Sequence, residues 1–150
     1  MSKKKKKKNK KLKVLLIEDD NYVSQLYQDI VSFDTDWELE VIDSLTDLEK
    51  DFEKIKKINP DVILLDLILP ALPKSKKEGG YILDKELGFQ ILEKLKKDKK
   101  TQKIPVIVIS ALSGEADKDR AKALGAEKYL VKSEILPYQI IEAVEEALGL

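Results

Sequence analysis

Residues 14–21 read VLLIEDDN: four apolar residues, Val14 to Ile17, run without a break into Glu18, Asp19 and Asp20. An apolar run with no polar alternation is the pattern of a strand covered on both faces, as in a parallel sheet packed between helices. Three acids crowded at its end repel one another unless a cation shares them. The same pattern recurs in VILLDLIL (62–69), IPVIVIS (104–110) and the weaker KYLV (128–131), whereas WELEVID (37–43) alternates like an edge strand.

Helical spacing fills the intervals. Tyr22, Val23, Leu26, Tyr27 and Ile30 form one stripe; Leu45, Leu48, Phe52 and Ile55 form a second, opened by Ser44 with Asp47 in capping-box position. Phe89, Leu92 and Leu95 form a third, Ala116, Ala121, Ala123 and Leu124 a small-residue helix that stops at Gly125, and Ile140, Ile141, Val144 and Leu148 the last. Strand and helix alternate five times, which predicts an α/β fold: a flavodoxin-like, doubly wound, five-stranded parallel sheet of order 2-1-3-4-5 with five helices. Ligands of such sheets bind at the carboxyl ends of the strands, where the connections change direction.

Read at those ends, the first strand delivers Glu18, Asp19 and Asp20, the third Asp66, the fourth Ser110 and the fifth Lys132. Asp66 interrupts an apolar run, where a carboxylate is costly unless paired or reactive. The chain has no histidine and no cysteine, which excludes thiol nucleophiles, Ser-His-Asp chemistry, disulfides and Cys/His zinc sites. An all-oxygen acid cluster suits Mg²⁺. A carboxylate beside Mg²⁺ can attack phosphorus to form an aspartyl phosphate, Lys132 offsetting phosphoryl charge and Ser110 donating to a phosphoryl oxygen. No glycine-rich phosphate loop follows the first strand, so the chain is built to receive a phosphoryl group and not to hold a nucleotide.

The motifs LLIEDD, DVILLDLILP, PVIVISA and GAEKYLVKS together resemble those of the receiver domain of two-component response regulators, over about residues 12–149. That resemblance implies that Glu18 and Asp19 are a metal-binding acid pair, that Asp66 is the phosphoacceptor, and that the carbonyl of Ile68 is a further Mg²⁺ ligand. It also implies that Ser110 is the hydroxyl of the switch, that Tyr129 is the aromatic moving with it, and that Lys132 is the family's lysine. Three features depart from the family: Ser133 where proline is usual after the lysine, Ser110 where threonine is common, and a long segment, ALPKSKKEGGYILDKEL, between Pro70 and Gly88.

The expected organisation is a disordered Lys-rich tail over 1–11 and a receiver domain over 12–150 with an extended loop at 71–87. Nine lysines and no acids occupy residues 1–13, leaving nineteen bases against twenty-eight acids beyond them. Such a block is read as a solubilising arm in preference to a nucleic-acid or membrane contact, since it has neither aromatics nor amphipathic period. With no apolar run of membrane-spanning length, a cytoplasmic protein is expected.

The implied function is a signalling switch phosphorylated by a histidine kinase or phosphotransfer protein, without an output or DNA-binding domain, acting on a downstream protein through its fourth helix, fifth strand and fifth helix. The alternatives are a Mg²⁺-dependent phosphohydrolase with an Asp nucleophile, which commonly has a second acid where Ile68 stands, and an unphosphorylated receiver-like scaffold.

Overall fold

The computed structural model describes residues 10–43, 45, 47–71 and 82–150. Most of the lysine tail, Ser44, and the middle of the 71–87 segment lie outside the described residues. The elements run β1 (Lys13–Ile17), α1 (Asn21–Asp34), β2 (Glu38–Ile42), α2 (Leu48–Ile58), β3 (Val62–Leu65), β4 (Leu69–Ala71), β5 (Ile82–Asp84), α3 (Lys85–Lys97), β6 (Val106–Ser110), α4 (Glu115–Ala123), β7 (Lys128–Val131) and α5 (Gln139–Leu148).

Five strands form one parallel sheet ordered β2-β1-β3-β6-β7, which is the 2-1-3-4-5 order expected. The apolar runs are buried because successive side chains face opposite sides and both sides are covered. Leu15, Ile17, Leu65 and Val108 pack with Phe52 and Ile55 of α2, Phe89, Leu92 and Leu95 of α3, and Ala121 of α4. Val14, Leu16, Leu64 and Ile107 pack on the other side with Tyr27 and Val31 of α1 and Ile140 and Val144 of α5.

Three local expectations are corrected. In α1 the buried residues are Ser24, Tyr27 and Val31, while Tyr22, Leu26 and Phe33 stand exposed; the helix meets the sheet along a stripe shifted from the one read off apolar spacing. Helix α2 starts at Leu48 with Asp47 itself as N-cap, its carboxylate accepting from the N–H groups of Glu49 and Lys50. The third apolar run is divided. β3 ends at Leu65 because Asp66 Oδ1 accepts from the Ile68 N–H, an Asx turn that redirects the chain. Leu69–Ala71 then pairs antiparallel with Ile82–Asp84, so the extended loop begins and ends in a β-ribbon and α3 starts three residues before Gly88.

Gly88 locks α3 to the turn after Asp66. A Cβ at this position would lie 2.4 Å from both the Cα and the carbonyl oxygen of Leu67, atoms of the backbone that cannot swing aside. Gly88→Ala is therefore expected to cost about 2–3 kcal/mol, lowering the melting temperature by roughly 5–10 °C. Gly114→Ala, with nothing closer to the added carbon than Asp117 Oδ2 at 3.9 Å, is expected to stay within about 0.5 kcal/mol. Equal melting temperatures for the two variants in thermal denaturation would refute the locking contact.

Candidate functional site

The sheet register places the site. Ile17 pairs with Leu65, so the next residues, Glu18 and Asp66, emerge side by side from β1 and β3. Both remain on the backbone ladder, the Glu18 N–H donating to the Ile42 carbonyl and the Asp66 N–H to the Ile17 carbonyl. Lys132 leaves the end of β7 and reaches back across β6, its Nζ donating to Glu18 Oε1 at 2.6 Å and to Asp66 Oδ2 at 3.2 Å. Ala111, just past the end of β6, lines the same cavity as Lys132.

The three consecutive acids divide their work. Asp20 is the N-cap of α1, accepting from the N–H groups of Tyr22 and Val23 at 2.8 and 3.2 Å. Glu18, Asp19 and Asp66 instead present carboxylate oxygens within 4.8 Å of one another, a set able to hold a metal ion. Their shared cavity, about 180 Å³, is lined by Glu18, Asp19, Asp20, Asp66, Ile68, Ala111 and Lys132. Among the described residues Glu18 Oε2 is a buried oxygen with no hydrogen-bond partner. An orphaned carboxylate oxygen facing two other acids fits a cation ligand.

The electrostatics are those of a site short of positive charge. Burial first, and then the neighbouring Asp66 carboxyl, push Glu18 up to about 8, with Lys132 opposing. Burial raises Asp19 as well. Burial alone would lower Lys132, but Asp66 and Glu18 outweigh it and the ammonium is held above its ordinary value.

Ser110 is fully buried and its Oγ accepts from the Leu112 N–H at 3.1 Å. The Tyr129 hydroxyl donates to the Leu112 carbonyl at 2.8 Å, so the loop after β6 joins the two residues. Burial raises the Tyr129 phenol, with a hydrogen bond to Ser110 opposing. Sequence reasoning brought together Glu18, Asp19, Asp66 and Lys132, but it missed that Lys132 grips Glu18 more closely than Asp66. For the three acids a cap of the first helix was the alternative to a metal site, and Asp20, one residue before the helical stripe, is the acid that caps. The chain turns trans through Lys132–Glu134 in a single 3-10 turn, with no cis peptide among the described residues.

The model of the response regulator receiver domain matches residues 14–145. The chain belongs to that family, whose members are phosphorylation-dependent signalling switches. It is 28% identical over 138 residues to the DNA-binding dual master transcriptional regulator RpaA of Synechocystis sp., covering 92% of this chain and 48% of that relative, so it spans about half of RpaA's length. It is 26% identical over 136 residues to the polar-differentiation response regulator DivK of Brucella ovis, covering 91% of this chain and 95% of DivK. Among solved structures, the Mn²⁺-bound response regulator Rcp1 aligns with a TM-score of 0.65 and 27% identity over 90% of this chain and 92% of that one. Chemotaxis protein CheY4 of Vibrio cholerae, at 20% identity, shares the fold with a TM-score of 0.70 over 93% of this chain and all of that one. No helix among the described residues is long and apolar enough to cross a membrane.

Because Glu18 holds a proton in the folded chain that the unfolded chain releases at ordinary carboxylate pH, metal-free stability should fall as pH rises between about pH 5 and about pH 8. With no histidine present, no side chain has its ordinary value in the middle of that window. Melting temperatures in chelator should decline across it for the wild type and stay nearly level for Glu18→Gln. A level wild-type profile would contradict the raised carboxyl.

Proposed function

We propose that Asp66 is the phosphoacceptor and that the phosphoryl donor is the phosphohistidine of a kinase or phosphotransfer protein, supplied in trans. The observation that carries this reading is the single Lys132 ammonium shared by two buried carboxylates at the strand ends. As an Asp66 carboxylate oxygen bonds to phosphorus, the bond from phosphorus to the donor imidazole nitrogen breaks and the imidazole departs. Lys132 faces the oxygens that gain charge, and Ala111 is small enough to admit the donor ring. Glu18, Asp19, Asp66 and the carbonyl of Ile68 would hold Mg²⁺, which when bound neutralises phosphoryl charge and orients its oxygens.

In this reading the Ser110 hydroxyl gives up its bond from the Leu112 N–H and donates to a phosphoryl oxygen. Because Tyr129 holds the Leu112 carbonyl, the same shift moves Tyr129 and the neighbouring face of α4, β7 and α5, where a downstream protein reads the state. The phosphohydrolase alternative lacks support at Ile68, an apolar residue in the cavity where a second acid would serve. Shielding of the phosphoryl group from water rests on Ile68. Leu112 packs against the core and does not line the cavity.

After exposure to acetyl phosphate and Mg²⁺, intact-mass measurement should show one added phosphate on the wild type and none on Asp66→Asn; equal gain by the mutant would refute the assignment. Asp19→Ala should weaken metal binding, whereas Asp20→Ala should chiefly cost about 1 kcal/mol of helix stability through the lost cap. Metal titrations that coincide for those two variants would sink the register. Ile68→Asn should speed loss of phosphate about three- to tenfold, roughly 0.7–1.4 kcal/mol of barrier. An unaltered half-life would defeat the shielding argument.

A further inference from the structure

Charge along the first third of the chain is arranged in blocks. The nine lysines of residues 1–13 are followed by residues 14–49, which hold eleven acids and no base before Lys50. The fold brings the end of the first block against the second. The Leu12 carbonyl accepts from the Glu38 N–H at 2.8 Å and Lys13 pairs with Glu38, so the chain enters beside β2, the edge strand of the sheet.

At that point a groove of about 440 Å³ runs between α1 and β2, with Lys11 at its lip and Gln28, Asp29, Ser32, Asp36 and Trp37 along it. The acids around it are unbalanced. Glu53, Glu86, Glu93, Asp98, Glu115, Asp117 and Glu146 each form an ion pair with a lysine or arginine. The exposed Asp29, Asp34, Asp36, Glu38 and Glu40 form none among the described residues; exposed acids elsewhere, such as Asp119, Glu127, Glu134 and Glu142, also form none, but the first group clusters on α1, the turn after it and β2, where the lysine block enters the fold.

We propose that the groove and the β2 edge are the docking surface of this chain's own lysine arm, residues 1–9, held in cis. The arm joins the described chain at Lys10, next to Lys11 of the groove lining. Nine residues reach at most roughly 30 Å, enough to follow the 14 residues of α1, about 21 Å. Each exposed ion pair contributes at most about 1 kcal/mol, but tethering makes every pairing intramolecular, so several weak contacts act together. Docking also covers a sheet edge, whose free N–H and C=O groups otherwise invite pairing with another chain. The arm thereby becomes a salt-sensitive cover for the α1–β2 face, a role beyond the solubilising one its composition suggests.

The test compares the full chain with a variant lacking residues 2–9 by backbone amide NMR, at about 20 mM and about 500 mM salt, since screening shortens the Debye length several-fold across that range. At low salt the amides of Asp29–Glu40 should differ between the two proteins, independently of protein concentration, and converge at high salt. A synthetic peptide of residues 1–9 should bind the deleted variant at low salt and bind the full chain at least tenfold more weakly. Neutralising the groove and the adjoining end of α1 in the deleted variant with Asp29→Asn, Asp36→Asn and Asp34→Asn, its fold checked by circular dichroism, should weaken the peptide at least tenfold. Coincident low-salt spectra, concentration-dependent differences indicating a second copy as the occupant, or peptide binding untouched by the three substitutions would each overturn the proposal.

Discussion

One ammonium among three carboxylates is the constraint on which the rest of this molecule depends. Glu18 and Asp66 sit almost fully out of water at the ends of apolar strands, with Asp19 beside them and Lys132 as the cation between. A buried charge without a partner costs several kcal/mol, so neither acid could stand there alone. Even with Lys132 the cluster remains short of positive charge, as the buried, partnerless Glu18 Oε2 shows. The fold thus keeps open a demand for positive charge that a divalent cation could meet. That imbalance is the physical basis of a switch: the resting site is stable enough to fold and unsatisfied enough to respond.

Holding such a site requires a rigid floor and a movable rim. The floor is the sheet, with every residue of β3 and β6 buried and the two sides packed by separate clusters. Gly88 adds to it by letting α3 approach the Leu67 backbone directly beneath the Asp66 turn. The rim is α4 with the loop before it. This helix buries only Ala121, has no side-chain bond at its Gly114 cap, and is tied to α3 by the exposed pairs Lys85–Asp117 and Glu86–Arg120, with Arg120 over the Phe89 ring. Few buried contacts and exposed ionic ties mark a segment that reorganises at low cost. Tyr129, bonded to Leu112 at the base of that loop, connects it to the sheet.

The α1–β2 face shows the same principle of unbalanced charge on the surface. There Lys11 and Lys13 stand beside the groove and the start of β2, although β1 and α1 separate them in sequence from Asp36 and Glu38, because β1 and β2 are parallel neighbours. Local charge composition and sheet order act jointly; neither would place the lysines against those acids alone.

Much of this was legible in the residues before any coordinates. Unbroken apolar runs alternating with helical stripes determined a covered parallel sheet, because only burial on both faces tolerates such runs. Asp66 was conspicuous for breaking one of them, and the acids, Ser110 and Lys132 shared a common end because strand ends converge in this topology. What the sequence could not determine was which neighbour each side chain would meet. The helical stripe of α1 was misplaced because Tyr22 and Leu26 satisfy the spacing but face solvent, a matter of how the helix rotates against the sheet. The long 71–87 segment gave no sign of its β-ribbon, since three-residue strands leave no period to read. The division of the acids, Asp20 to the helix cap and Glu18 to Lys132, was settled only by tertiary structure. Residue types and spacing say which groups need partners, but the partner at 2.6 Å stands 114 residues away, and only packing brings it there.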